Sequence, residues 1–378
     1  MKFFILALRN VFRNKRRTAI TVLTIISGMI ALITFGGFVE NAFWTLRELT
    51  IHTQLGHIQV FKKGYCEKGV ANPQDYLIEN YINIETLLYT LPGIDLVTER
   101  LSFSGLVSTG DQTLICKGVG VIPGKEAKLA SFEKIIEGQN LSLSAECLDE
   151  AVLGSELAKS LQAKIGDYLT VLTSSPNNMM NARDLKFVGI AQSGASDYDA
   201  VFMKVPLITA QSLLNENAVE KIVILLNNTE DTEKLCKQLG IIIREKNLDL
   251  EYRSWKELSA YYNAVVGLYN GIFNVVKIIV AAVVFFSIAN TMTMAIFERV
   301  REIGTLRAIG TQKSGIIQLF LWEGFLMGII GGVLGMIAGS LVALSINLLG
   351  GIYIPPPPGM NISYQAYIFV VPSVLLYS

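Results

Sequence analysis

Histidine and cysteine are scarce in this chain of 378 residues: His52 and His57 are the two histidines, and Cys66, Cys116, Cys147 and Cys236 the four cysteines. Two histidines cannot build an ordinary histidine-based metal site, and cysteines so far apart, without Cys-x-x-Cys spacing, exclude a zinc knuckle. Both histidines read as plain polar residues. Disulfides between the cysteines stay open, with three pairings available and buried thiols as the alternative. A phosphate-cradling loop is missing as well. Gly118 to Glu126 comes near a Walker A loop, but its first glycine stands one residue too far out and Glu126 occupies the place of the magnesium-binding Ser or Thr. No catalytic, cofactor-binding or metal-binding residues are therefore assigned, and no nucleic-acid partner is expected. Charge is short too, at 17% of residues against roughly 25% in ordinary soluble domains.

What is abundant is apolar sequence, 51% of the chain, gathered into runs. Thr18 to Val39 carries no charge and as a helix reaches about 33 Å, enough for a ~30 Å hydrocarbon core. A second uncharged run covers Ile278 to Phe297 and a third Gly324 to Leu349, and nothing after Glu323 is charged. Between the second and third runs lie Glu298, Arg299, Arg301, Glu302 and Arg307. At mid-membrane each would cost on the order of 2.5–3.5 kcal/mol, so this connector belongs in water or against another protein. Lys2, Arg9, Arg13, Lys15, Arg16 and Arg17 precede the first run without an acid. Both basic stretches belong inside by the positive-inside rule, which puts the amino terminus in the cytoplasm and everything between the first and second spans outside it. Phe38-Val39-Glu40-Asn41 offers no signal-peptidase site, so the first run reads as a retained anchor.

The resulting plan is an integral membrane α-helical protein with a large α+β extracytoplasmic domain. Residues 1–17 form a cytoplasmic amphipathic basic helix, whose apolar side carries Phe3, Phe4, Leu6, Ala7, Leu8, Val11 and Phe12. Residues 18–40 are the first span, 41–264 the extracytoplasmic domain, 265–297 the second span, 298–314 the cytoplasmic connector and 315–349 the third span. Residues 350–363, with Pro355 to Pro358, make an extracytoplasmic turn. The apolar stretch 364–378 begins a fourth span that looks incomplete. Lys277, just before the second uncharged run, snorkels outward.

Within the outer domain, strands are expected at His57–Phe61, Leu106–Ser108, Leu114–Val121, Tyr168–Leu172, Leu185–Ile190 and Ile222–Leu226. Helices are expected at Val152–Lys164, stopped by Gly166, and at Glu230–Leu239. Ser174 to Asn178 reads as a hairpin tip.

The connector predicts a short amphipathic helix with Val300, Ile303, Leu306 and Ile309 near one face and Arg299, Arg301 and Glu302 elsewhere; an interfacial helix lying on lipid headgroups is the alternative. In the third span, Gly324, Gly328 and Gly332 fall on one line and Gly331, Gly335 and Gly339 on another. Such ridges serve packing against the other spans or against a second subunit. Glu323 is expected to pair with a basic residue of the connector.

Leu8-Arg9-Asn10-Val11-Phe12-Arg13-Asn14-Lys15-Arg16-Arg17-Thr18, together with Glu298-Arg299-x-Arg301-Glu302-Ile303-Gly304-x-x-Arg307-Ala308-x-Gly310 and Phe320-x-x-Glu323-Gly324, resembles the FtsX/MacB-type ABC permease family. Gly166-Asp167 through Leu185-Lys186-Phe187-Val188-Gly189-Ile190 is similar to the outer domain of its lipoprotein-releasing members. The resemblance implies a mechanotransmission permease of the bacterial inner membrane, without catalytic activity of its own. Its implied partners are a cytoplasmic ABC ATPase, a second permease subunit in a homo- or heterodimer, membrane lipids, and a lipoprotein or periplasmic carrier. Glu298, Arg299, Val300, Arg301, Glu302, Ile303, Gly304, Leu306, Arg307 and Gly310 would couple to the ATPase. Pro176, Met179 and Met180 would stand at a partner-binding hairpin, unless that tip is an ordinary turn. Release of lipoproteins or lipids is the favoured role; efflux of small molecules or peptides, activation of a cell-wall hydrolase, and an anchored receptor without ATPase are the other readings.

Overall fold

The computed structural model describes residues 2–13, 15–69, 73–143, 148–175, 179–355 and 363–370. Contacts divide the chain into two compact units, one built on Met1–Thr45 and Ala264–Ile354, the other on Leu46–Asn263.

The first unit is helical. Among the described residues, three helices are long and apolar enough to cross a membrane: Lys15–Leu55, Ala260–Glu298 and Lys313–Leu348. The first helix continues past residue 40 to Thr50 and widens into a π turn over Ile51–Leu55. It packs on the third along a line of glycines. A Cβ on Gly331, Gly335 or Gly339 would come within 2.7, 2.5 and 2.8 Å of Ile25, Met29 and Ile33. Backbone approach of this kind replaces the missing hydrophobic drive between helices in lipid. Gly328 and Gly332 meet nothing within 4 Å. The second helix touches the first where Gly28 faces Val280 and where the Thr21 and Thr291 hydroxyls bond at 2.6 Å. None of its most apolar stretch is buried inside the subunit, and Lys277 Nζ stands 4.4 Å from the Phe273 ring centre.

The stretch expected to begin a fourth span at Tyr364 is corrected: its described part is not helical. Tyr364–Ala366 is a strand paired antiparallel with Ile352–Ile354, and residues 367–370 continue without helix. Hydrogen bonds from the Asn41 and Asn347 side chains and to the Gly37 carbonyl hold the returning chain at Tyr367, Ile368 and Phe369. Residues 371–378 and most of the proline turn lie outside the described residues.

The second unit is built on ten strands: β1 Ile58–Lys62, β2 Ile94–Ser108, β3 Thr113–Val121, β4 Lys134–Gly138, β5 Glu150–Gly154, β6 Tyr168–Ser174, β7 Met180–Gln192, β8 Phe202–Pro206, β9 Lys221–Leu226 and β10 Leu250–Ser254. The order is β10-β1-β9-β2-β3-β8-β5-β7-β4, and β6 pairs with both β2 and β7. Strands β2, β3, β8, β5, β7 and β6 thus close a circuit of pairings around Leu101, Phe103, Leu153, Val171, Phe187 and Met203, all buried. Gly118 stands opposite Phe103, and a Cβ there would fall 2.0 Å from the ring. Glycine gives the aromatic its place on the pleated face.

Every expected strand is present, and β2 and β7 are far longer than Leu106–Ser108 and Leu185–Ile190. The helix expected from Val152 is corrected. Val152 and Leu153 belong to β5, parallel to β7 and antiparallel to β8, and the helix covers only Ser155–Leu161. A strand covered on both faces is apolar throughout, which resembles the start of a buried helix. Gln162, at φ 54°, ends the helix before Gly166 is reached. Thr232–Glu245, introduced by a 3-10 turn over Thr229–Asp231, is the second expected helix; it turns Thr232, Leu235 and Leu239 inward at i, i+3 and i+7.

Candidate functional site

The chain turns between the second membrane helix and a short helix, Val300–Ala308, at Arg299. Arg299 leaves the helical region, at φ −107° and ψ 18°, yet its carbonyl already accepts from Ile303 N at 2.9 Å and so starts the short helix. Its side chain, off the apolar face as expected, is buried: Nη1 donates to Glu323 Oε1 at 3.0 Å, with 7% and 5% of the two side chains exposed. Glu323 thus pairs with a basic residue of the connector as expected. Among the described residues Arg299 Nε has no hydrogen-bond partner. A charge buried at a chain corner is tolerable only because its counter-ion is fixed on the next helix, and removing one partner of such a pair costs roughly 3–5 kcal/mol.

Asn10 completes the cluster from the amino-terminal helix Lys2–Arg13, its Nδ2 donating to the same Glu323 Oε1 at 2.6 Å. Ala7 and Val11 are buried against Leu319, Leu326 and Met327 of the third membrane helix, and Phe4 meets Trp322 edge-on at 5.4 Å. Sequence reasoning missed Asn10. The signal was there: Ala7, Asn10 and Val11 share one face at i, i+3 and i+4, and a polar residue inside an apolar stripe needs a buried partner.

Two outer ion pairs flank this buried one. Arg13 meets Glu302 at 2.7 Å, with about half of each side chain exposed, and Arg17 contacts Glu298. Exposed pairs of this kind contribute ~0–1 kcal/mol. Ile303 and Leu306 are half-buried, whereas Val300 and Ile309 are 57% and 78% exposed, so the expected apolar face is split between the two environments. Arg301, Gly304 and Arg307 are exposed. Gly310, at φ 97°, ends the short helix: its N–H bonds Arg307 O at 3.1 Å while Thr311 N bonds Leu306 O at 3.0 Å. This paired closure needs a left-handed residue at that position.

In the sheet unit, Ile51 from the π turn and Trp255 lie in one buried cluster with Leu96, Leu129, Val223 and Leu225, and Tyr262 packs against it. Both chain entries into this unit are therefore held by one core. Arg100 reinforces it, pairing bidentately with Glu126 and donating to the Gln54 carbonyl. Lys125 contacts Glu85 and Glu99. Lys125 and Glu126, which came near a Walker loop, thus each serve a separate ion pair.

His57 is buried, 1% exposed. Its Nδ1 accepts from Leu226 N at 3.1 Å, so Nε2 carries the proton and donates to Thr229 Oγ1 at 3.0 Å. Burial, helped by the neighbouring His52 ring, pushes its pKa down to about 4. Cys66, Cys116 and Cys236 are free thiols, and Cys147 lies outside the described residues. Among the described residues no group of His, Cys, Asp and Glu could hold a metal. At the β6–β7 hairpin, Met179 and Met180 are 57% and 73% exposed, and Pro176 lies outside the described residues.

Residues 18–240 match the family model of the MacB-like periplasmic core domain, and 274–377 that of the FtsX-like permease C-terminal region. The chain belongs to this permease family. It is 24% identical over 287 residues to the lipoprotein-releasing system transmembrane protein LolE of Haemophilus influenzae, covering 74% of this chain and 68% of that one. It is 22% identical over 370 residues to LolC, of the same system, from Neisseria meningitidis serogroup B, covering 91% and 85%. A macrolide export ATP-binding/permease protein MacB of Syntrophobacter fumaroxidans is 23% identical over 241 residues, covering 62% and 32%. The periplasmic region of MacB from Actinobacillus actinomycetemcomitans superposes with a TM-score of 0.41 at 15% identity, over 57% of this chain and 95% of that one. The protein is thus an ABC transporter permease of the Lol/MacB/FtsX type. Its long apolar helices and these relatives mark it as a bacterial inner-membrane protein, of a family that works with a cytoplasmic ATPase.

Proposed function

We propose that this subunit passes ATP-driven motion from a separate cytoplasmic ATPase to its sheet domain outside the membrane, and that the motion serves release of lipoproteins or lipids. In this reading the amino terminus and Val300–Ala308 are cytoplasmic, a second permease subunit completes the membrane core, and a fourth span follows the proline ribbon. The observation that carries it is the buried Arg299–Glu323 pair. A helix that merely rested on headgroups would gain nothing from a buried charge at its first corner, whereas one that bears load must be fixed to the membrane helices. The long alignment with LolC, over most of both chains, favours lipoprotein handling over efflux, because the MacB alignment covers about a third of that protein.

The test is in two parts. A photo-crosslinker at Gly304 or Ile309 in cells should capture an ABC ATPase, and lack of any such adduct would remove the transport and regulator readings together. Proteoliposomes holding the complex and an acylated lipoprotein should then release that lipoprotein on ATP addition. Retention of the lipoprotein, with the ATPase bound and turning over, would leave efflux or control of a wall hydrolase.

A further inference from the structure

We infer that the amino-terminal helix Lys2–Arg13 and the helix Val300–Ala308 form one rigid coupling body, keyed by Asn10, Arg299 and Glu323, with Glu323 as the positioning residue that makes them move together. The inference rests on the proposed ATPase contact at Val300–Ala308, and the experiment below separates the two.

One oxygen, Glu323 Oε1, accepts from Asn10 Nδ2 at 2.6 Å and from Arg299 Nη1 at 3.0 Å. Such bonds span about 2.7–3.2 Å between donor and acceptor, so neither donor can slide far from the third membrane helix without leaving a buried group unpaired. Glu323 and Arg299 are each almost fully buried, which keeps water from replacing a lost partner. The amino-terminal helix is further fixed to the third membrane helix by Ala7, Val11 and the Phe4–Trp322 contact. Its junction with the first membrane helix is braced by Thr18 Oγ1, which donates to Val11 O at 2.8 Å. Arg13 and Arg17 then reach Glu302 and Glu298 on either side of the Arg299 corner. Load on Val300–Ala308 would therefore enter the first and third membrane helices at once. Without the key, it would pass along the chain to the second and third helices, and reach the first only through the exposed Arg13 and Arg17 pairs.

The protein, purified with its bound ATPase in lipid nanodiscs, can carry spin labels on keto-functional unnatural residues at exposed positions 12, 309 and 180. The expected result is a 12-to-309 distance that is the same without nucleotide and with ATP–vanadate, while the 309-to-180 distance changes. In Glu323→Gln the 12-to-309 distance should become nucleotide-dependent. A wild-type 12-to-309 distance that shifts with nucleotide overturns the inference, as does a Glu323→Gln protein that keeps it constant. If Glu323→Gln fails to fold, the wild-type measurement decides alone. If no ATPase is bound, or 309-to-180 ignores nucleotide, the coupling reading itself fails and this inference falls with it.

Discussion

Asn347 and Ile368 are joined by a closed pair of hydrogen bonds, Nδ2 donating to the Ile368 carbonyl at 2.8 Å and Oδ1 accepting the Ile368 N–H at 2.8 Å. The pair imitates a strand partner for a residue that is 2% exposed. On either side, Asn41 Oδ1 accepts Tyr367 N at 3.1 Å and the Gly37 carbonyl accepts Phe369 N at 3.1 Å. Three successive amides of the returning chain are thus held by residues of the first and third membrane helices.

Asn347→Ala should strand both backbone groups of Ile368. An unmatched buried group costs about 1–3 kcal/mol, so a loss of roughly 2–4 kcal/mol is expected, with faster proteolysis near residue 368. Denaturation by SDS titration in mixed micelles reads the first effect and peptide mapping the second. An unchanged midpoint and cleavage rate would show that the tie bears no load.

His57 gives a pH dependence with a definite sign. Its folded pKa, about 4, lies below the ordinary 6.5, so the unfolded chain binds the extra proton between those values. Its contribution to stability is present above pH 6.5 and is lost as pH falls from 6.5 to 4, by up to about 3 kcal/mol. Asn at position 57 cannot titrate. Comparing thermal midpoints of wild type and His57→Asn across pH 4–7 should show a steeper fall in the wild type; parallel curves would mean that His57 takes up its proton equally in the folded and unfolded chain.

The membrane helices were legible because an uncharged run of that length has one cheap environment. The closed circuit of strands was less so. Glu150–Gly154 is apolar through its middle because neighbours cover both faces, and periodicity cannot distinguish such a strand from a buried helix. Arg299 shows the limit at the candidate site. Its charge announced a connector, but whether that charge faces water or a carboxylate depends on Glu323, far along the chain and visible only once the helices are packed. Gly310, expected only as a coupling residue, ends the short helix for a local reason, since a helix end of this type calls for a residue at positive φ.

The glycine lines of the third membrane helix make opposite predictions. A Cβ at Gly335 would stand 2.5 Å from Met29, while Gly332 has open space. Gly335→Val should therefore separate the first and third helices and destabilise the subunit by about 1–3 kcal/mol, whereas Gly332→Val should leave the isolated subunit within about 0.5 kcal/mol of wild type. Unfolding in SDS-containing micelles measures both. Equal effects at the two positions would contradict the packing.

Lys204 and Glu133 pose the sharper energetic question, because an ion pair buried in the sheet unit, 1% and 4% exposed, loses its hydration on both sides. Lys204→Met should destabilise by roughly 3–5 kcal/mol, chiefly by leaving the Glu133 carboxylate without a counter-charge. The double variant Lys204→Met with Glu133→Leu removes both charges and keeps most of the volume. It should recover much of that loss, since apolar replacement of a buried pair is often neutral. Chemical unfolding of the four proteins closes the cycle, and the expected coupling is large and of rescuing sign. If the double variant is instead as unstable as the sum of the singles, the pair does not act as a unit.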